Sequence, residues 1–266
     1  MPQKSKLGQN FLRDQQAIHR IVAALGDISN RTVVEIGPGR GAITELLATR
    51  AGHLIAIELD PVLAADLQSR FTPANGFPNF KLLRQDVLTV DFSALAHDAG
   101  QPLLVVGNLP YYITSPILTR LADAASSIDL AVLMVQREVA DRVTASPGSS
   151  DYGLLSTTVQ LYGQANPLFT LPPQAFSPPP EVHSTVFRWV FAPRFGTLGV
   201  PRDPFVSFLK ACFAQKRKTL SNNLRNVGHT SQAIADALFH TGLSPQARAE
   251  ELTLDHFAAL FRALNA

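Results

Sequence analysis

The most restrictive feature of this chain is a junction. Thr32-Val33-Val34-Glu35-Ile36 runs straight into Gly37-Pro38-Gly39-Arg40-Gly41, and a helical apolar pattern through Ile43, Leu46, Leu47 and Arg50 follows at once. The β-branched run favours extended backbone, and alternate glycines permit a turn that side-chain-bearing residues make poorly. A strand that turns directly into a helix is half of a βαβ unit, which commits the chain to a parallel sheet covered by helices. The alternation continues downstream. Residues 53–59 predict a second strand with a helix after Pro61, residues 80–84 a third strand and residues 103–106 a fourth. A fifth, over residues 130–135, is apolar enough to be buried on both faces.

Beyond residue 165 the texture changes. Pro167, Pro172, Pro173 and then Pro178-Pro179-Pro180 punctuate a segment that reads as loop, and residues 182–191 alternate like a strand closing the sheet in a hairpin. After Pro193 only helical patterns remain, over residues 205–213, 220–227, 231–239 and 254–264. Asp203 before Pro204 predicts a helix cap with proline at the first helical position, and Thr253 predicts another cap. The division is therefore an α/β domain over residues 1–192 and a small all-helical domain over 193–266.

Hydrophobic residues at 46% and charged residues at 17% exclude a disordered chain. Cys212 is the only cysteine and lies in an apolar stretch, which excludes an internal disulfide and suits a core residue in a reducing cytosol. Lys4 and Lys6 are not followed by the apolar run of a signal peptide, because Gln9, Asn10, Arg13 and Asp14 interrupt it. No stretch approaches the roughly 20 apolar residues of a membrane span. The expectation is a soluble cytoplasmic protein. The net charge is only +2, yet Arg202, Lys210, Lys216, Arg217, Lys218 and Arg225 face a single acid, Asp203, between residues 201 and 228. Such a cluster is either a solvated helix face or the footprint of a polyanion.

The glycine spacing is G-x-G-x-G, tighter than the G-x-G-x-x-G of a dinucleotide fingerprint, so it suits a nucleoside group brought close to backbone better than a pyrophosphate. Glu58 ends the second strand, where a carboxylate can accept from both hydroxyls of a ribose; that does not discriminate between nucleoside cofactors. Asp86 follows the third strand and is either an acceptor for an adenine amino group or a cap for the turn at Val87-Leu88. Asn108-Leu109-Pro110-Tyr111 then follows the fourth strand, at the sheet edge where open α/β folds place ligands. The exocyclic nitrogen of adenine is a poor nucleophile because its lone pair is delocalised into the ring. Two acceptors, the Asn108 side chain and the main-chain carbonyl of Leu109 or Pro110, would favour a more pyramidal nitrogen. Pro110 stiffens the loop and Tyr111 offers a ring face for a base. The pattern implies methyl transfer to an adenine amine, with positioning rather than a general base doing most of the catalysis.

These residues, together with Leu7-Gly8-Gln9-Asn10-Phe11-Leu12, Gln85-Asp86-Val87-Leu88, Phe176-Ser177-Pro178-Pro179-Pro180 and Gln215-Lys216-Arg217-Lys218-Thr219-Leu220, resemble the bacterial 16S ribosomal RNA adenine dimethyltransferase family nearly end to end. The resemblance implies a Rossmann-like sheet that binds S-adenosylmethionine, and no metal. It implies that Asn10, Leu12 and Gly37 border the cofactor, that Glu58 holds its ribose and Asp86 its adenine, and that Asn108 sits where cofactor and target meet. Phe176 would stack on an extruded base opposite Tyr111, although ordinary packing beneath a proline loop is its reading without the family. Lys216, Arg217, Lys218 and Arg225 would meet phosphates of 16S rRNA within an immature 30S subunit, bound by a monomer. Tyr112 departs from the smaller polar residue common in the family, and Arg40 and Ala42 vary the glycine loop. The rivals are a large-subunit rRNA methyltransferase of the resistance type, distinguished by the Phe176 loop and a long basic C-terminal helix; a non-catalytic ribosome assembly factor, which the intact tetrad disfavours; and a nicotinamide-dependent oxidoreductase, which the glycine spacing disfavours.

Overall fold

The computed structural model describes residues 10–265, so Leu7, Gly8 and Gln9 of the N-terminal motif lie outside the described residues. Packing divides the chain into two compact units, Met1–Ala140 with Gln164–Ala192 and Asp141–Gly163 with Pro193–Ala266. The division at residue 193 expected from the sequence coincides with one of these borders. Residues 141–163 group with the C-terminal helices, which the sequence did not signal.

Strands β1 (Phe11–Leu12), β2 (Thr32–Ile36), β3 (His53–Ile57), β4 (Phe80–Leu83), β5 (Leu103–Asn108), β6 (Ile128–Gln136), β7 (Gly163–Leu171), β8 (Phe176–Ser177) and β9 (Ser184–Phe191) are found among the described residues. Seven of them form one sheet in the order β4-β3-β2-β5-β6-β9-β7. The first five strands of that order run parallel, and β9 lies antiparallel to β6, pairing Gln136 with Ser184. β1 and β8 form a separate antiparallel pair, with Leu12 opposite Phe176. Every residue of β2 is buried, as a strand covered on both faces requires.

The helices of the first unit are α1 (Gln15–Ala23), α2 (Thr44–Ala48), α3 (Pro61–Arg70), α4 (Phe92–Ala99) and α5 (Thr114–Asp123). Their starts follow local rules. The Asp14 carboxylate accepts from the Ala17 N–H, and that of Asp60 accepts from Val62 and Leu63 ahead of a proline in the first turn. Ile18 and Ile21 of α1, Leu47 of α2 and Leu67 of α3 bury against Val33, Leu54 and Leu104 of the sheet. From β2 the chain builds outward to β3 and β4, then crosses back to β5 and β6. The order therefore reverses between β2 and β5, and open α/β sheets bind ligands beyond the strand ends at such a point.

The second unit contains α7 (Leu154–Tyr162), α8 (Phe195–Leu198), α9 (Arg202–Cys212), α10 (Leu220–Arg225), α11 (Ser231–His240) and α12 (Leu254–Leu264), after α6 (Arg137–Thr144), which spans the border. α7 packs against α9 and α12; the Arg194 N–H donates to the Leu161 carbonyl at 2.9 Å and the Tyr162 and Phe195 rings meet edge to face. No described helix is long and apolar enough to cross a membrane.

Three local expectations are corrected. Residues 163–171 are a strand despite Pro167, because β7 is at the sheet edge, where a missing N–H leaves no ladder bond unmade. α9 starts at Arg202 with Pro201 at the cap, so Asp203 is an acid in the first turn rather than the cap; Pro204 is tolerated because first-turn N–H groups have no helical partner. The long basic helix is a turn between α9 and α10. Asn223 pins that turn by donating to the carbonyls of Cys212 at 2.7 Å and Gln215 at 3.3 Å. Thr253 caps α12 as expected, accepting from the His256 N–H.

Candidate active site

At the switch point one cavity gathers Asn10, Leu12, Gly37, Glu58, Asp86 and the whole tetrad from Asn108 to Tyr111. The glycine loop forms its floor. Gly37 and Gly39 have φ values of 65° and 58°, the left-handed region where a side chain is strained. A Cβ on Gly39 would also lie 3.0 Å from the Phe11 ring, so the loop and β1 can approach only because the position is glycine.

Glu58 is 5% exposed. Its Oε2 accepts from the Gly39 N–H at 3.1 Å and its Oε1 from the Asp60 N–H at 2.9 Å. Each oxygen keeps a lone pair, so the carboxylate is pre-aimed without being saturated. Asp86 makes the cap, its Oδ1 accepting from the Leu88 N–H at 3.0 Å, and the residue also lines the cavity. Ile57 and Val87 supply apolar wall between these carboxylates.

The tetrad is held from several directions. The Asn108 amide nitrogen donates to the Asn10 carbonyl at 2.9 Å. That bond fixes the rotation of an amide that lines the cavity and still has an oxygen able to accept. The Leu109 N–H donates to the Met134 carbonyl at 2.9 Å. The Pro110 carbonyl already accepts from the Ile113 N–H and the Thr114 hydroxyl, both at 3.1 Å, whereas no described residue donates to the Leu109 carbonyl. Of the two carbonyls left open by the sequence, Leu109's is the one with capacity. The Tyr111 hydroxyl is 2.8 Å from the hydroxyl of fully buried Ser184. Burial raises its pKa, and the Ser184 hydrogen bond opposes the rise.

Phe176 lies in the β1–β8 pair beside the glycine-loop side of the site. Its ring is 3% exposed and belongs to the apolar core of the first unit, with Leu12 opposite it in the β1–β8 pair. The reason is the short strand pair, which turns the Phe176 side chain inward beneath the proline segment. Lys216, Arg217 and Lys218 are exposed in the α9–α10 turn, and Arg225 ends α10 with its guanidinium on the Asn222 side-chain oxygen.

The sequence reading did not single out Glu35. It is 1% exposed, lines the cavity and accepts from the Thr44 hydroxyl at 2.7 Å. Burial pushes its carboxyl up to about 8; the Thr44 hydrogen bond opposes this and the charge of Glu58 adds to it. An acid inside an otherwise apolar strand, next to the glycines, was the available signal. Ser184 carried none, since a serine at the start of a strand is unremarkable.

The donor set fits S-adenosylmethionine: an oriented carboxylate for a ribose diol, a second acid for an adenine amine, apolar wall between them, and a left-handed glycine floor that admits a ligand against backbone.

A family model described as "Ribosomal RNA adenine dimethylase" matches residues 2–266. A curated relative from Acidobacterium capsulatum, "Ribosomal RNA small subunit methyltransferase A", is 58% identical over 98% of this chain and 91% of its own. One of the same name from Koribacter versatilis is 50% identical over 98% and 94%. Among solved structures, a dimethyladenosine transferase from Plasmodium falciparum is similar with a TM-score of 0.79 at 24% identity, covering 94% of this chain and 95% of that one. The 23S rRNA methyltransferase ErmE is similar with a TM-score of 0.70 at 26% identity, covering 97% and 100%.

Proposed function

The chain belongs to the ribosomal RNA adenine dimethylase family, and on that premise we propose that it uses S-adenosylmethionine to dimethylate the exocyclic N6 amines of two adjacent adenosines in a hairpin loop near the 3′ end of 16S rRNA. The observation that carries this reading is the Asn108 amide, which lines the cavity and is held there by the Asn10 carbonyl. The small subunit is favoured over the large one because relatives at 58% and 50% identity are named for it, against 26% for the 23S enzyme. Immature 30S particles are the proposed substrate, bound by a monomer in the cytoplasm, with Lys216, Arg217, Lys218 and Arg225 meeting phosphates.

Glu58 would hold the cofactor's ribose and Asp86 its adenine, while Asn10, Leu12 and Gly37 border its methionine part. When bound, S-adenosylmethionine supplies a methyl group already activated on a sulfonium. The protein's task is then to shape the nucleophile. Asn108 Oδ1 and the Leu109 carbonyl accept the two N–H groups of the target amine, which draws the nitrogen lone pair out of ring conjugation and toward the methyl donor. The nitrogen loses one proton for each methyl gained. After the first transfer a single N–H remains, so one of the two acceptors suffices for the second. Tyr111 presents its ring to the base with its hydroxyl tethered at Ser184. Phe176, as packed here, acts from beneath: it anchors β8 to β1, and β1 continues from the Asn10 carbonyl that orients Asn108.

The test is methyl transfer from labelled cofactor to immature small subunits, followed by nucleoside analysis. Dimethyladenosine in 16S rRNA is expected. In the Asn108→Ala variant, kcat should fall about 100-fold or more while cofactor affinity stays within a few fold, the pattern of a lost transition-state contact. Label found only in large-subunit RNA, or near wild-type turnover by the variant, overturns the reading.

A further inference from the structure

The second unit contains a cavity of about 380 Å³ that the catalytic reading does not use. One wall is the segment that includes Arg142 and Gly153, and the opposite wall is the end of α9 with the basic turn. Its rim is cationic. Arg142, Lys216 and Lys218 border it, and neither lysine is in an ion pair among the described residues; the Lys216 ammonium makes one long bond, to the Ser150 carbonyl at 3.4 Å. Two acids also line it, Asp151 and Glu250, and Glu250 lies 3.6 Å from the Arg248 guanidinium. Its interior is aromatic and apolar. The Phe213 ring stands 6.4 Å from that of Tyr152, whose hydroxyl is sealed from solvent beside the Thr157 side chain. The Thr157 hydroxyl gives its own proton to the Gly153 carbonyl at 2.8 Å.

The walls are preformed. Ser156 donates its hydroxyl to the Arg142 carbonyl at 2.5 Å and accepts from the Gly153 N–H at 3.1 Å, while the Gly148 N–H reaches the Glu250 carbonyl at 2.8 Å. Gly153 has an extended backbone with φ of −171°, and a Cβ built there meets nothing within 4 Å. Its lack of a side chain therefore serves no backbone requirement and leaves the space open.

A ring-lined slot with unpaired ammonium groups at its mouth matches one kind of ligand, a flat heterocycle carrying a phosphate. The volume falls in the range of small-molecule sites. We propose that this cavity binds one unpaired nucleotide of the RNA substrate other than the target adenosines, its phosphate at Arg142, Lys216 and Lys218 and its base against Phe213. The proposal rests on the reading of the protein as an RNA-modifying enzyme. A nucleotide held here would register the RNA on the second unit, adding base contact to a surface that otherwise meets only the sequence-neutral backbone.

The test has two arms on the full-length protein. With the cofactor cavity saturated by S-adenosylhomocysteine, each of the nucleoside 5′-monophosphates of RNA is titrated and compared with inorganic phosphate. At least one mononucleotide should bind more tightly than phosphate, and binding should disappear in Gly153→Phe, which fills the slot, and weaken in Lys216→Gln/Lys218→Gln. In the second arm KM for immature small subunits should rise about tenfold in both variants, the loss falling on KM rather than kcat. A cooperative thermal transition at the wild-type temperature certifies the fold of Gly153→Phe. Should that variant not fold, the exposed lysine pair still decides. Mononucleotides binding no better than phosphate, binding equally to the variants, or a KM that does not move would each overturn the cavity proposal. A wild-type protein that methylates no small-subunit RNA overturns the functional reading instead, and the titration arm still reports on the cavity.

Discussion

Single side chains in this protein are explained by what their neighbours leave them free to do. The Asn108 amide is fixed because its nitrogen is committed to Asn10, and Glu58 is aimed because two backbone N–H groups hold it. Glu35 shows the same logic in its titration. Its folded pKa of about 8 lies above the unfolded carboxylate value of 4.5, so the folded state binds the proton more tightly. The contribution is fully present below pH 4.5 and is lost as pH rises through 8. Stability should therefore fall across that window with a slope of up to about 1.4 kcal/mol per pH unit from this group. Glu35→Gln keeps an acceptor for Thr44 and removes the titration. Urea unfolding of both proteins between pH 5 and 8 should give a flatter profile for the variant, and parallel profiles would contradict the assignment. Asn108, Glu58 and Asp86 were legible as site residues because their types and positions after strands carry meaning by themselves. Glu35 was not, since its burial depends on strands on both sides of β2.

Elements here are written mostly in adjacent residues. The β-branched runs and the proline after Asp60 placed the parallel strands to within a residue or two at most ends. The misses lie where an element's environment decides its state. β7 tolerates Pro167 only by being an edge, and nothing near Pro167 says which strand will be last. The glycine loop belongs to this scale as well. Gly39→Ala would place a Cβ at positive φ and 3.0 Å from the Phe11 ring. Stability is expected to drop by about 1–3 kcal/mol, and S-adenosylmethionine affinity to fall in the same variant because Glu58 loses its well-placed Gly39 N–H. Calorimetric titration and denaturant unfolding measure the two effects, and an alanine variant with wild-type values for both would show that the loop is not strained.

The molecule as a whole is organised by contacts between distant stretches of chain. Residues 141–163 pack with the C-terminal helices through Leu161, Tyr152 and Tyr162, so the piece after residue 193 is incomplete by itself. A fragment of residues 193–266 is expected to show no cooperative thermal unfolding, because removing α7 exposes the apolar faces of α9 and α12. A sharp calorimetric transition from that fragment would make it an independent domain after all. The sequence by itself determined the α/β class, the glycine turn, the site carboxylates and the tetrad, because strand propensity, turn chemistry and position after a strand are properties of neighbouring residues. Only the tertiary structure decided that Asn108 meets Asn10, 98 positions away in the chain. It likewise decided that Phe176 points into the core and that Arg142 joins Lys216 and Lys218 around one cavity. Which way a side chain turns and what it meets are set by packing between segments far apart in sequence, where periodicity has no reach.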